Sequence, residues 1–530
     1  MSNTFGPRPF HINTLTRRDF LVRTVRAGGA LGLAALTQVP PFARRALAEG
    51  SIGLNGKKLL FVFLRGANDG LNSCIPIQDP SYGGGIRPNI FIPKDAGVDY
   101  AALGSCVFPT GLASTFGYTN ALNVGNGFNA LHPYLKFLAP VYNAGDVAMI
   151  HRVGYPRQSR SHFDSQAYWE TGEPNSVARE GIFYRTLLES GQTATNPLSG
   201  ISIQGALPTL FKGSAAAITN INDPTRYDLL GTPTPAGDQK LINSILEANG
   251  ARFADKRSRE LLQLSYDNLT STLDLFSSID FTETGNTFVD DVPTDGGTAH
   301  YNLFPTTTAK NGGGTAATYV ADVGSASFFQ QLKGAALILN KTNAIIAGTE
   351  MGGFDTHNNQ GGATGDHADL QSRIAWAIYA LRKYFINHHD KVEWNNMAVV
   401  FLTEFGRTTM QNGSGGTDHA EAGLMWVAGG SVKGYGKAGR TNGILGGVPS
   451  GPVPWVTGSA GSMFGVSGRY LQRAVDYRSV LGELIREHLG ATSAQLNRII
   501  PGYALPGEAL LSGGTSSIDG TPILGEVDVV

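Results

Sequence analysis

The chain has 530 residues and a formal net charge of -1 at pH 7, from 41 Lys and Arg residues against 42 Asp and Glu residues. Charged residues make up 16% of the sequence and hydrophobic residues 41%. These values exclude a disordered polyelectrolyte, and two cysteines are too few for a disulfide-stapled miniature. Apart from its N-terminus the chain is mildly acidic, with no basic stripe, so no nucleic-acid partner is expected.

The first 48 residues have the composition of an export signal. They hold seven arginines and one acidic residue, and the Arg17-Arg18 pair precedes a short apolar stretch over 27–39. A small-residue cleavage pattern ends at Ala48, and the apolar stretch is too short to span a bilayer. We therefore predict a twin-arginine signal at 1–48 and a periplasmic or secreted mature chain at 49–530, with no transmembrane anchor after signal removal.

Short apolar runs in the body of the chain predict buried strands. They are continuous rather than alternating, which suits parallel strands covered on both faces. The runs are Leu59–Leu64, Val147–Val153, Ala344–Ala347, Met397–Leu402 and Leu424–Ala428. Helical patterns alternate with them, at Leu131–Tyr142, Phe328–Leu339, Leu370–Ile386 and Asp476–Leu489. This alternation predicts an α/β fold with a mostly parallel sheet flanked by helices.

One region interrupts this pattern. Residues at about 190–325 are rich in Gly, Thr, Asn and Pro, with a single long helical stretch over 239–275. We predict a helical and loop insertion there. Cys74 and Cys106 could pair in an oxidising compartment, but two cysteines do not decide this, so the disulfide is left open.

Polar residues follow the predicted strands. Because the carboxyl ends of strands in an open α/β sheet meet at one edge, we expect these side chains to lie together there. The candidates are Asp69 after the first run, Ser161 after the second, Asp355 and His357 after the third, Glu404 and Arg407 after the fourth, and Asp418 and His419 before the fifth.

This residue set predicts a metal site that handles an anionic ester. Carboxylates with imidazoles suit Zn²⁺ or Mn²⁺, with Ca²⁺ or Mg²⁺ as oxygen-liganded alternatives, and two ions can clamp an ester between them. Ser161 begins a predicted helix, whose N-terminus favours anions, and is a candidate nucleophile. Arg160 or Arg407 could clamp the anion. Structural roles remain open: Ser161 as a helix cap, and Glu404 in an ion pair with Arg407.

At these residues the sequence resembles a large family of exported bacterial proteins of unknown function, usually described as similar to sulfatases and the alkaline phosphatase superfamily. The resemblance covers about 57–490. It lies in six segments, which are 63–72, 159–164, 353–357, 403–408, 416–419 and 475–480. It implies an alkaline-phosphatase-like fold.

Position by position, the resemblance also implies roles for single residues. Asp69 would bind one metal, and Asp355 with His357 the other. Glu404 takes the place of a strand-end aspartate and His419 that of the final histidine. Ser161 would be the nucleophile, with Ser159 as the rival hydroxyl.

Two departures distinguish this chain from the phosphatases. Phe405 stands where they have a histidine, and the Asp355–His357 spacing is shorter than theirs. No sulfatase Cys-x-Pro-Ser-Arg motif is present. The leading hypothesis is an exported metal-dependent hydrolase of phosphate or sulfate esters, with one or two divalent ions. The alternative is a non-catalytic, metal-stabilised protein on the same fold that binds an exported protein partner or serves in envelope assembly.

Overall fold

A computed structural model describes residues 52–106, 118–194, 196, 198–224, 244, 271–281, 287–289, 300–304, 326–505 and 507–530. Its centre is a sheet of nine strands. In chain order these are β1 Lys58–Leu64, β2 Val147–Gly154, β3 Gly200–Ile203, β4 Thr219–Ile221, β5 Ile346–Met351, β6 Met397–Thr403, β7 Gly423–Ala428, β8 Ile444–Leu445 and β9 Val475–Asp476. Across the sheet the order is β8-β2-β7-β6-β1-β5-β3-β4, and β9 also pairs with β2.

Strand direction brings the loops of interest to one edge. β1 pairs in parallel with both β5 and β6, and β3 and β4 continue the parallel run. β7 is antiparallel to its neighbours β6 and β2, while β8 and β9 run parallel to β2. The carboxyl ends of β1, β2, β5 and β6 therefore lie at the same edge as the start of β7. The predicted α/β fold with a mostly parallel sheet is confirmed.

Helices flank the sheet. They are α1 Gly70–Ser73, α2 Ala139–Asn143, α3 His162–Thr171, α4 Ile182–Ser190, α5 Ala326–Lys341, α6 Asp366–Asn387, α7 Tyr477–Glu483 and α8 Ser493–Ile499, with a π-helical turn at Leu484–His488. Short pairings outside the main sheet are Cys74–Ile75 and Leu122–Asn123 with Ala130–Leu131, Thr287–Val289 with His300–Asn302, and Gly514–Thr515 with Pro522–Ile523.

Both faces of the sheet are buried. Leu60 and Val62 of β1 belong to the core that α5 and α6 cover, whereas Leu59 and Phe61 belong to the core that α4, α7 and α8 cover. Alternate residues of one strand thus face two apolar layers. This arrangement explains why the strand runs are continuously hydrophobic.

Several boundaries differ from the prediction. Strand β5 extends to Met351 because its hydrogen bonds to β1 continue past the apolar run, through the polar residues Thr349 and Glu350. The helix expected at 131–142 is a 3-10 helix, Pro133–Leu138, followed by α2. Strands β3 and β4 lie inside the range predicted as an insertion and belong to the sheet.

Some predictions fall outside the described residues. The twin-arginine signal at 1–48 is one, and most of the 190–325 region, including nearly all of the 239–275 helical stretch, is another. Cys74 and Cys106 are described, and both are buried thiols that are not bonded to each other. In the parts of the chain that the structure describes, no helix is both long and apolar enough to cross a membrane.

Candidate metal centre

Two histidines, His162 and His357, each place Nε2 against Nε2 of a third, His419. The Nε2 atom of His419 lies 3.0 Å from Nε2 of His162 and 2.9 Å from Nε2 of His357. In each ring the other nitrogen, Nδ1, contacts an acceptor: the Glu404 carboxylate at 3.0 Å for His162, the Asp418 carboxylate at 3.0 Å for His357, and the Arg160 carbonyl at 2.8 Å for His419. Because these oxygens only accept, each Nδ1 carries the proton and each Nε2 presents a lone pair.

Asp355 adds a carboxylate to the three imidazoles. Its Oδ1 lies 3.1 Å from His357 Nε2 and 3.2 Å from His419 Nε2, and its Oδ2 lies 3.5 Å from His162 Nε2. Ligand atoms around a tetrahedral zinc ion, with bonds of about 2.1 Å, lie about 3.4 Å apart. Ligand atoms of His162, Asp355 and His419 all lie within 4.8 Å of one another, so these three side chains could hold a divalent metal ion. His357 adjoins this group through Asp355 and His419, and the four side chains together are called here the imidazole cluster.

Electrostatics favours a positive charge inside the imidazole cluster. Lone pairs about 3 Å apart repel each other unless a proton or a cation lies between them. The hydrogen bond to Glu404 raises the pKa of His162, whereas burial lowers the pKa of His419. Burial works to raise the pKa of Asp355, but the hydrogen bond and charge of Arg407 outweigh it, so the pKa lies below its usual range. The anionic Asp355 carboxylate and the neutral His419 ring are the forms that bind metal, whereas the raised pKa of His162 favours its charged ring until a metal ion replaces the proton.

The helix that carries His162 begins at the cluster. Ser161 is the N-cap of α3, and its Oγ accepts a hydrogen bond of 3.4 Å from the Asp164 backbone N–H. His162 is therefore the first helical residue, and its ring sits between Glu404 and His419. The predicted helix start and the capping role of Ser161 are both present in the structure.

Arg407 connects several loops of the site through hydrogen bonds. Its side chain is buried, and its guanidinium donates to the carbonyls of Ala67, Thr417 and Phe354 and to the Asp355 carboxylate. These partners belong to the loops after β1 and β5 and before β7. With these donors engaged inside the protein, Arg407 orients Asp355 and does not clamp a ligand, contrary to the role considered from sequence.

Two glycines allow the loops to approach so closely. Gly66 has a φ of 112°, and a Cβ there would lie 2.3 Å from the Asp355 backbone nitrogen. A Cβ on Gly416 would lie 2.3 Å from the His357 carbonyl oxygen. Neither position has room for a side chain, so both loops can carry only glycine at these contacts.

Glu404 supports the cluster without facing its centre. Its carboxylate accepts hydrogen bonds from the backbone N–H groups of Gly66 and Ala67, at 2.8 and 3.0 Å, and from the Thr403 hydroxyl. Burial works to raise its pKa, but the hydrogen bond with His162 and these donors hold the pKa below its usual range. The predicted metal ligand is instead the group that orients His162.

Asp69 lies apart from the cluster in a buried polar network. Arg87 donates to both carboxylate oxygens, at 2.6 and 3.2 Å, and Gln360 donates to Oδ2 at 2.7 Å. Burial works to raise the pKa of Asp69, but Arg87 outweighs it and lowers the pKa. Both oxygens are taken by protein donors, so the predicted ligand role gives way to a buried ion pair.

The second predicted metal site has lost its ligands to packing as well. Phe405, which replaces the phosphatase histidine, is buried, and its ring centroid lies 4.9 Å from that of His162 and 4.8 Å from that of His419. It forms an apolar wall behind the imidazoles. Among the described residues, one group of ionisable side chains at this edge, His162, Asp355 and His419, could hold a metal ion.

The hydroxyls of the loop after β2 are not equivalent. Ser159 Oγ accepts from the Ser161 backbone N–H at 3.2 Å and contacts Asp164 Oδ2 at 3.3 Å. Ser161 Oγ has a single hydrogen bond, to the Asp164 N–H, and is half-buried next to His162. Arg160 is exposed, and its guanidinium contacts the hydroxyl of Tyr470.

Comparison with known families finds one match. A family model described as "Protein of unknown function (DUF1501)" matches residues 296–453. The matched segment contains Asp355, His357, Glu404, Arg407 and His419. It begins after α3 in the sequence, so Ser161 and His162 lie outside it. No characterised protein and no solved structure matches the chain.

His162 was not among the residues predicted from sequence, although it lies beside the candidate nucleophile Ser161, and Asp418 was a candidate without an assigned role. Asp418 precedes His419 directly and orients His357 through its carboxylate. A signal was available for both, because each is an ionisable residue adjacent in sequence to a candidate at the same sheet edge.

Proposed function

We propose that the protein is a metal-dependent hydrolase of phosphate or sulfate esters, exported by the twin-arginine route and built on an alkaline-phosphatase-like arrangement. The observation that carries the proposal is the imidazole cluster. His162, His357 and His419 all donate Nδ1–H to fixed acceptors, and Nε2 of His419 lies against Nε2 of the other two rings. Histidine ligands of metals are typically held in this way by a second hydrogen bond.

The donor set narrows the choice of ion. Three imidazole nitrogens with one carboxylate suit Zn²⁺ first and Mn²⁺ second, because Ca²⁺ and Mg²⁺ prefer sites built from oxygen alone. One ion per chain is expected. When bound, such an ion polarises a phosphoryl or sulfuryl oxygen and stabilises charge in the transition state.

The residues of the chain supply orientation and the attacking group. His162, His357 and His419 would hold the ion, and Arg407 keeps Asp355 aimed at it. Ser161 is the proposed nucleophile because its Oγ has one weak hydrogen bond and stands one residue from His162. Ser159 is the weaker candidate, since its hydroxyl already orients the loop through Ser161 and Asp164.

Turnover by purified protein tests the proposal. Metal content is measured by mass spectrometry, and hydrolysis of 4-nitrophenyl phosphate and 4-nitrophenyl sulfate is followed for the wild type and for Ser161→Ala and Ser159→Ala. We expect one ion per chain and activity that Ser161→Ala lowers by more than about 1,000-fold. Ser159→Ala is the matched control and should keep most of the activity. Full activity in Ser161→Ala would remove Ser161 as the nucleophile.

A second function is favoured by one feature of the cluster. If His357 and Asp355 both bound the ion together with His162 and His419, side chains would fill all four positions, and closed sites of this kind are structural. The protein would then be a metal-stabilised binding or envelope-assembly protein with an exported partner. This alternative predicts one bound ion, a melting temperature that falls on chelation, and no turnover of either ester by the metal-loaded chain.

A further inference from the structure

Two arginines stack on one tyrosine beside the imidazole cluster. The guanidinium carbon of Arg160 lies 4.6 Å from the ring centroid of Tyr470, and that of Arg469 lies 5.6 Å from the same centroid. Both arginines are exposed, whereas Tyr470 is buried. Among the described residues neither guanidinium forms an ion pair with a carboxylate, although Glu421 lies within electrostatic range of Arg160.

Backbone contacts fix this pair of arginines next to the metal ligands. The Arg160 carbonyl accepts the Nδ1–H of His419 at 2.8 Å. Arg469 lines a cavity of about 180 Å³, together with Thr408, Met410, Gln411, Asn412 and Asp418. Asp418 is also the partner of His357, so this cavity begins one residue away from the cluster.

The chemistry of the cavity favours an anion near Arg469. Asp418 is the acidic residue of its lining, and its Oδ1 is already engaged by His357 Nδ1 and by Asn412 Nδ2 at 2.9 Å. Arg160 donates one N–H to the Tyr470 hydroxyl, and because a guanidinium carries five N–H donors, both arginines retain donors for an anion. Arginine presents a planar fork that matches carboxylate, phosphate and sulfate groups.

We propose that Arg160 and Arg469 form a second anion subsite, so that the preferred substrates are esters whose alcohol portion carries a further acidic group. This inference rests on the proposed hydrolase function. The ester phosphate or sulfate would lie at the imidazole cluster, and the leaving group would extend into the cavity toward Arg469. The cavity has room for a small organic group with one carboxylate.

Binding of matched ligands tests this subsite without requiring turnover. Phenyl phosphate and 4-carboxyphenyl phosphate, which differ by one carboxylate, are titrated into zinc-loaded protein by calorimetry. We expect the carboxylated ligand to bind about five-fold more tightly, the size typical of an exposed ion pair, and the ratio to shrink as salt is raised. In Arg469→Gln the ratio should approach one while the affinity for phenyl phosphate is kept, and in Arg160→Gln the ratio should fall as well.

Arg179→Gln is the matched control, because Arg179 is an exposed arginine in the loop that follows the far end of α3. It should leave the ratio unchanged. Equal affinity for both ligands in the wild type would overturn the subsite and leave the hydrolase proposal intact if the esters still turn over. Absence of binding by either ligand, together with absence of turnover, would overturn both.

Discussion

The imidazole cluster and the Asp69 network lie at the same edge of one sheet, yet they differ in how their polar atoms are satisfied. In the cluster, the Nε2 atoms of three histidines contact one another and the Asp355 carboxylate. In the network, Arg87 and Gln360 donate hydrogen bonds to the Asp69 carboxylate. Sequence alone predicts a metal ligand in both regions, but protein donors already occupy both oxygens of Asp69, whereas the facing Nε2 atoms lack an N–H donor when the rings are neutral. Candidate ligands are therefore best judged by which hydrogen bonds they still lack.

Removal of Asp69 gives the largest expected effect. Asp69→Ala leaves Arg87 buried without its partner, so the free energy of unfolding should fall by about 3–5 kcal/mol in urea titrations, with metal content unchanged. Asp390→Ala, which breaks an exposed pair with Lys341, is the control and should cost about 1 kcal/mol or less. A loss of bound metal in the milder Asp69→Asn variant, without loss of stability, would show that Asp69 is a ligand.

Removal of one imidazole comes next. His419→Ala should weaken zinc binding by more than about 100-fold, because changes in outer-shell partners alone cost 10- to 100-fold. Competition with a chromophoric chelator measures this affinity. His389→Ala, which removes an exposed histidine far from the cluster in sequence, is the control. Equal zinc affinity in the two variants would contradict His419 as a ligand, and with it the difference between the cluster and the network.

Loss of an orienting carboxylate should have a smaller effect on the same measurement. Asp418→Ala leaves His357 Nδ1 without its acceptor, so zinc affinity should fall by about 10- to 100-fold. Asp366→Ala removes an exposed carboxylate at the start of α6 and serves as the comparison. If both substitutions leave the affinity unchanged, His357 is not held in place by Asp418.

The smallest expected effect is a pH dependence of the free energy of unfolding, caused by His367 beside the Asp69 network. Burial lowers the pKa of His367 to about 4, so the folded state prefers the neutral ring. That preference contributes fully to stability above pH 6.5 and is lost as the pH falls toward 4. At pH 5.5 the loss amounts to roughly 1 kcal/mol. His367→Gln should therefore lose roughly 1 kcal/mol less than the wild type between pH 8 and pH 5.5 in urea titrations. Identical losses would contradict a neutral buried His367.

Hydrophobic runs were enough to predict the strands that place the site. The run Met397–Leu402 became β6, Met397–Thr403, and the loop after it supplies Glu404 and Arg407. The prediction failed at the end of β5, where the hydrogen bonds to β1 continue through the polar residues Thr349 and Glu350 beyond the apolar run. It also failed at β3 and β4, because short strands among Gly and Thr residues carry no clear period.

The fate of individual side chains was harder to predict. Arg87 comes from an irregular loop 18 residues after Asp69, and no pattern in the sequence indicates that the two will pair. Likewise, which ring nitrogen of each histidine carries the proton depends on acceptors from other loops, such as the Arg160 carbonyl for His419. Spacing along the chain predicts which loops meet, whereas the roles within them depend on tertiary hydrogen bonds.

The dependence of the cluster on distant loops has a consequence for biogenesis. His162 and His419 are 257 positions apart, and Arg407 locks the intervening loops only after β1, β5 and β6 have paired. If the proposed site binds an ion, only a chain whose sheet is already assembled could capture it. Bound metal would then distinguish finished molecules from partly folded ones.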